Sequence, residues 1–190
     1  MSHFEGNYKR LFDNLKANDL NAFCSVHNVG LSNNSADSLL TLRDDFLHGS
    51  NTGNAAIATN EKFDEGFRKV PIQLEMLDKL WQELYGKHGR IDIMKMDIEG
   101  HEDFCLQGGR QTIESHRPTI LMEVNKPFYI ARGVNLDDIF LPLIPEKYVT
   151  CRKVGTRWKL INSLNECSAV DNVFMIPMEK SSLNGYEIFR

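Results

Sequence analysis

The chain has 190 residues, 42% hydrophobic and 25% charged, with a formal net charge of -4. This is the composition of a soluble globular domain with one core, and the scattered Lys and Arg give no pull toward nucleic acid. No apolar run approaches the roughly 20 residues needed to span a bilayer, and the N-terminus lacks the apolar core of a signal peptide, so no membrane partner and a cytoplasmic location are expected. The four cysteines, Cys24, Cys105, Cys151 and Cys167, lie too far apart for a C-x-x-C pair or zinc-ligand spacing and read as reduced thiols.

In chain order, residues 3–5 read as the end of a strand, and Asn7 as the N-cap of a helix on which Tyr8, Leu11, Phe12 and Leu15 recur at i, i+3, i+4, i+7. Residues 22–28 read as a strand and 29–34 as a turn. The pattern then weakens: short strands at 39–42 and 55–58 flank the Gly/Asn-rich HGSNTGN, so 43–69 reads as a hairpin excursion. A strand at 68–74 leads into a helix with Leu77, Leu80, Trp81, Leu84 and Tyr85 on one face, stopping at Gly86.

Residues 90–97 are nearly all apolar, as in a strand buried on both faces of a parallel sheet, and a helix is expected over about 100–115. TILMEVN at 119–125 is another buried strand, 136–143 is helical, and 148–153, 158–161 and 173–176 are late strands. Strands separated by helices predict one α/β domain over 1–190 with a mainly parallel sheet.

In an open parallel sheet ligands bind beyond the carboxyl ends of the strands, so polar residues there carry the chemistry. Glu5 is placed to accept hydrogen bonds from ribose hydroxyls, or is a solvated acid near a helix N-terminus. Asn28 is placed to meet a base edge, or is a turn former. Residues 97–102, DIEGHE, bring three carboxylates and an imidazole to a turn that Gly100 permits, while Glu99, Glu102 and Asp103 would also suit the first turn of a helix for dipole reasons alone. A metal site of Asp97, Glu99 and His101 is not expected, since the turn should break their common facing, and HEDFC is not the H-E-x-x-H of a zinc peptidase. Glu123 and Asn125 end the next strand.

These pieces resemble one family in order and spacing. FEGNYKRLFDNL at 4–15, NVGLSN at 28–33, LEMLDKL at 74–80, IDIMKMDIEGHEDFCLQGG at 91–109, RPTILMEVN at 117–125 and DNVFMIP at 171–177 are similar to successive segments of FkbM-type methyltransferases. The K-x-D-x-E-G-x-E run is the specific part. Gly6 in place of the usual Pro, Gly30 in place of Ala and a diluted T-L-D segment at 74–76 are departures. The resemblance implies a Rossmann-like class I fold, helices on both faces of the sheet, and transfer of a methyl group from S-adenosylmethionine to a hydroxyl of a sugar or secondary metabolite. It places Glu5 on the ribose, Asn28 near adenine and Asp97 near the methionine end. Glu99 or His101 would accept the hydroxyl proton, with Glu123 and Asn125 lining the acceptor pocket and residues 44–66 available as a cover.

A nucleotide-binding fold carries its glycine-rich turn about 20 residues before the ribose acid, and only four residues precede Glu5. The expectation is therefore an N-terminally truncated domain, with Met1 internal to a longer reading frame or the gene shortened, and an isolated chain that binds S-adenosylmethionine negligibly. An in-frame upstream segment without a D-x-G-x-N-x-G pattern would rule out the first version. The competing expectation is a non-catalytic binding or assembly module, a homo-oligomer pairing open sheet edges; a nicotinamide-dependent enzyme is a third, weaker one.

Overall fold

The structure, a computed structural model, describes residues 3–43, 54–57, 65–86, 88–155, 157–181 and 188–189. Helix α1 spans His3–Ala17, so it begins before Asn7 and takes in the stretch expected to end a strand. Its apolar stripe is only partly covered, with Leu11 49% and Phe12 47% exposed. Residues 24–29 have no regular structure. A strand needs a ladder partner for its backbone groups, and among the described residues none lies beside this stretch. Only β1, Gly30–Ser32, forms.

In place of one mainly parallel sheet, two mixed sheets form. In the first, β1 runs parallel to β4 (Arg68–Met76), which is antiparallel to β2 (Ala36–Arg43), itself antiparallel to β3 (Asn54–Ile57), in the order β1-β4-β2-β3. Alternation along β4 puts Val70, Ile72 and Leu74 on one face, where they join Leu40 and Leu42 in a small core. Of the expected excursion and cover, residues 44–53 and 58–64 lie outside the described residues.

After β4, α2 (Leu77–Leu84) leads to β5 (Ile93–Met96), the outer strand of the second sheet. The expected long helix is two helices, α3 (Glu102–Gly108) and α4 (Arg110–His116), which meet at Gly109. α3 lies so close to β1 that a Cβ on Gly108 would stand 1.9 Å from the Ser32 carbonyl oxygen, which only glycine permits. The Asp78 carboxylate of α2 accepts hydrogen bonds from the Gln111 and Thr112 amides at 3.1 and 2.8 Å, satisfying the first turn of α4.

β6 (Thr119–Asn125) pairs parallel with β5, in register Met96↔Met122. α5 (Lys126–Ala131), absent from the sequence reading, follows at once, and α6 (Leu136–Phe140) runs into a 3-10 turn at Leu141–Leu143 where the periodicity predicts helix. The late strands β7 (Tyr148–Val154), β8 (Arg157–Leu160) and β9 (Val170–Pro177) are antiparallel, with β10 (Ile188–Phe189) parallel to β8, giving the order β10-β8-β7-β9-β6-β5. A connection as short as that between β7 and β8 can return the chain only antiparallel; a parallel neighbour needs a crossover, as between β5 and β6, which α3 and α4 join.

The main core lies on one face of this sheet. Ile120, Met122 and Val124 of β6 are fully buried against Leu106 and Ile113 of α3 and α4, Tyr129 of α5 and Phe140 of α6. β5 departs from the expectation of burial on both faces. It pairs only with β6 among the described residues, and Ile93 is 74% exposed.

Candidate active site

Because β5 and β6 run parallel and in register, their carboxyl ends deliver the 97–101 turn and the Glu123–Asn125 segment side by side. Oxygens of Asp97, Glu99 and Glu123 all lie within 4.8 Å of one another. The Lys95 ammonium neutralises one side of the group, 2.7 Å from Asp97 Oδ2, and the Asn125 amide donates to Glu99 Oε2 at 3.3 Å. Glu99 is half-buried and takes a left-handed φ of 54°. Burial, followed by the charge of Glu123, pushes its carboxyl above the usual range, against the pull of the Asn125 amide. Glu123 is raised too, by burial and then by Asp97, with Lys95 opposing.

The sequence pattern points to a turn that breaks the common facing of Asp97 and Glu99. The structure instead places them together, because the left-handed residue at 99 returns the side chain to the side of Asp97, and Glu123 supplies a third oxygen from the neighbouring strand. Oxygens of this kind and spacing would suit a hard cation, with Lys95 as the competing positive charge.

The other two carboxylates of the run point inward. Glu102 is 1% exposed, and its carboxylate accepts hydrogen bonds from the Ile98 and Gly100 amides, both at 3.0 Å, and from the Tyr129 hydroxyl. Burial pushes Glu102 above the usual carboxylate range, while the Tyr129 hydroxyl and the amides pull it back. Asp103 is held two-pronged by Arg132 at 2.8 and 2.7 Å. The same guanidinium donates to the Gly100 carbonyl at 2.9 Å and stacks 4.5 Å from the Phe104 ring centroid. Gly100, at φ 86°, has Phe128 of α5 so close that a Cβ would sit 2.3 Å from Phe128 Cβ. α5 thus packs directly against the turn.

His101 is buried away from the carboxylate group. Its Nε2 lies 3.0 Å from Ser32 Oγ of β1, its ring packs 4.6 Å from Phe104, and Nδ1 has no hydrogen-bond partner. Burial is the main cause of a pKa lowered to about 4, with Asp103 and Arg132 acting in opposite senses.

Four sequence-predicted residues therefore converge: Asp97, Glu99, Glu123 and Asn125. His101 adjoins them in sequence but faces β1. Asn28 lies in an exposed irregular stretch two residues before β1. Glu5 is a correction: its backbone belongs to α1, so it does not end a strand, because the stretch around it continues the helical periodicity of 8–15. Tyr129 and Arg132 are not singled out by the sequence, and Lys95 enters there only as the first residue of the K-x-D-x-E-G-x-E run. Their signal was the crowding itself, since several carboxylates within seven residues demand internal donors, and the segment after the adjacent parallel strand is where such donors are within reach.

Among the described residues no helix is long and apolar enough to cross a membrane. No curated protein and no solved structure matches the chain. A family model described as the methyltransferase FkbM domain matches residues 2–147. That stretch runs from α1 to the residue before β7 and includes the 97–101 turn, Glu102, Asp103, Glu123, Asn125 and α5; residues 171–177 lie beyond it. With most of its length so matched, the chain belongs to the FkbM methyltransferase family.

Proposed function

We propose that this chain serves S-adenosylmethionine-dependent methyl transfer to a hydroxyl of a sugar or secondary metabolite, with Glu99 as the proton acceptor, on a Rossmann-like class I scaffold. One observation carries the reading: a half-buried carboxylate of raised basicity, held by Asn125 beside Asp97 and Glu123 where two parallel strands end. A carboxylate that binds its proton more tightly than usual is a better match for a weakly acidic hydroxyl.

The donor supplies an electrophilic methyl group on a positively charged sulfur. The chain's residues fit the charged methionine end of such a molecule, because Asp97, Glu99 and Glu123 together offer negative charge in excess of Lys95. The fit stops there: Glu5 lies within α1 and Asn28 in an exposed loop, so neither residue expected to hold the nucleoside ends a strand. On the acceptor side, Glu123 and Asn125 orient the hydroxyl, Asn125 steadies Glu99, and Glu99 takes the proton the hydroxyl releases. His101, buried with a pKa of about 4, ties α3 to β1 and leaves the proton to Glu99.

The test is methyl-labelled donor with a panel of polyhydroxylated acceptors. Label is expected on oxygen, with turnover falling about 100-fold or more in Glu99→Gln and a few-fold at most in His101→Gln, in keeping with the usual weight of a general base. Label on nitrogen or carbon, or a Glu99→Gln enzyme as fast as wild type, contradicts the reading.

The outer edge of β5, which has no partner strand among the described residues, with Ile93 exposed, favours a second reading, a non-catalytic assembly module joined edge to edge with another copy. Calorimetry with S-adenosylmethionine and light scattering separate the two: a stable dimer without donor affinity supports the module.

A further inference from the structure

Glu99 occupies a conformation that residues with a side chain avoid, at φ 54°, and such a conformation persists only where its surroundings over-determine it. Three backbone groups around it are held from outside the turn. The amides on either side, Ile98 N–H and Gly100 N–H, both donate to the carboxylate of Glu102, and the Gly100 carbonyl accepts from Arg132. Glu102 does not stand alone in this. It is almost wholly buried, and the Tyr129 hydroxyl is the side-chain donor that keeps its carboxylate form in place. Arg132 is in turn aimed by Asp103, whose two carboxylate oxygens each accept a hydrogen bond from the guanidinium and so fix its plane. Tyr129 and Arg132 are three residues apart on α5 and its C-terminal end, so they share one side of the helix and meet the turn together. Neither touches the oxygens of Asp97, Glu99 and Glu123.

We propose that Tyr129 and Arg132 are positioning residues for Glu99, acting through the Glu102 carboxylate and the Gly100 carbonyl. The proposal rests on the reading of Glu99 as proton acceptor only for its functional meaning; the positioning is observable without donor or acceptor. Tyr129 is also a core residue, its ring edge-on to Phe140 at 5.4 Å, so the variant that separates the roles is Tyr129→Phe, which deletes the hydroxyl and keeps the ring. Without that donor Glu102 favours its protonated form, its grip on the two amides weakens, and Glu99 relaxes toward water and away from Glu123.

The experiment is a carboxyl-carbon NMR titration of the whole chain, with the Glu99 signal assigned by its loss in Glu99→Gln. In Tyr129→Phe the Glu99 midpoint is expected to fall by about half a pH unit or more, as its burial and its proximity to Glu123 are relieved. Arg132→Lys, which keeps a charge for Asp103 but lacks the planar fork, should move it in the same direction, and this variant decides alone if Tyr129→Phe fails to fold. Ile113→Val, a core truncation in α4, is the control: it should lower stability and leave the Glu99 midpoint where it is. An unchanged midpoint in the α5 variants, or an equal shift in Ile113→Val, overturns the proposal. A null result in methyl transfer would bear on the proton-acceptor reading and leave this titration standing.

Discussion

Two sets of carboxylates lie within seven residues of one another and do opposite things. Glu102 and Asp103 are buried, and each is met by donors of fixed geometry: two amides and a tyrosine hydroxyl for one, a guanidinium fork for the other. Asp97 and Glu99 are placed with Glu123 at the strand ends, with one lysine and one amide among the three of them. The lesson is that the acidity of a segment says little about its role. Where donors outnumber carboxylates the group is structural. Where carboxylates outnumber donors, their oxygens face one another at the strand ends and the group is poised for chemistry.

The largest test of this division is Asp103→Ala. It leaves Arg132, whose side chain is 11% exposed, without its counter-charge, and the expected loss is about 3–5 kcal/mol in equilibrium denaturation, the cost of an uncompensated buried charge. A loss under about 1 kcal/mol, as for an exposed pair, would dissolve the contrast between the two sets.

Next in size is the pH dependence that His101 imposes. Its folded pKa lies near 4 against 6.5 for the free side chain, so the unfolded chain binds the proton first. The stability attached to the neutral ring is complete above 6.5 and is lost as pH falls toward 4, amounting to about 3 kcal/mol at about 1.4 kcal/mol per pH unit. Glu99, Glu102 and Glu123 are raised in the fold and act in the other sense over the acid range, so the effect is read as a difference between wild type and His101→Gln. Denaturation from pH 7 to 4 should show wild type falling more steeply; parallel curves would mean the ring is not buried neutral.

The smallest effect belongs to the outward set. Glu99 and Glu123 are raised above the usual range, so the repulsion between them is relieved by protonation at low pH and grows as pH rises through their folded pKa values. Removing one charge in Glu123→Gln should stabilise the fold by about 0.5 kcal/mol at neutral pH, vanish in acid, and lower the Glu99 midpoint. A destabilised Glu123→Gln would place Glu123 with the structural set.

Much of this was legible in the residues. The helix from 77, the start of the helix at 136 and the strand at 119–125 rest on local spacing, and each appears where the spacing points. What escaped rests on neighbours. β5 reads as buried on both faces because its side chains are apolar, yet burial depends on what lies beside it, and Ile93 meets solvent. Residues 22–28 have strand composition but no ladder partner among the described residues. Glu5 sits on a helix, where Phe4, four residues before Tyr8, continues the apolar spacing of 8–15. The clasp of Tyr129 and Arg132 joins α5 to a turn some 30 residues earlier, and no local pattern announces it.

The most direct measurement of the central claim is Glu99→Gln assayed twice, for methyl transfer to a hydroxyl acceptor and for stability at neutral pH. The account predicts loss of transfer with stability equal to or slightly above wild type, since a strained proximity of like charges is removed. Retained transfer together with a loss of more than about 1 kcal/mol would contradict it, because Glu99 would then belong with the carboxylates that hold the fold.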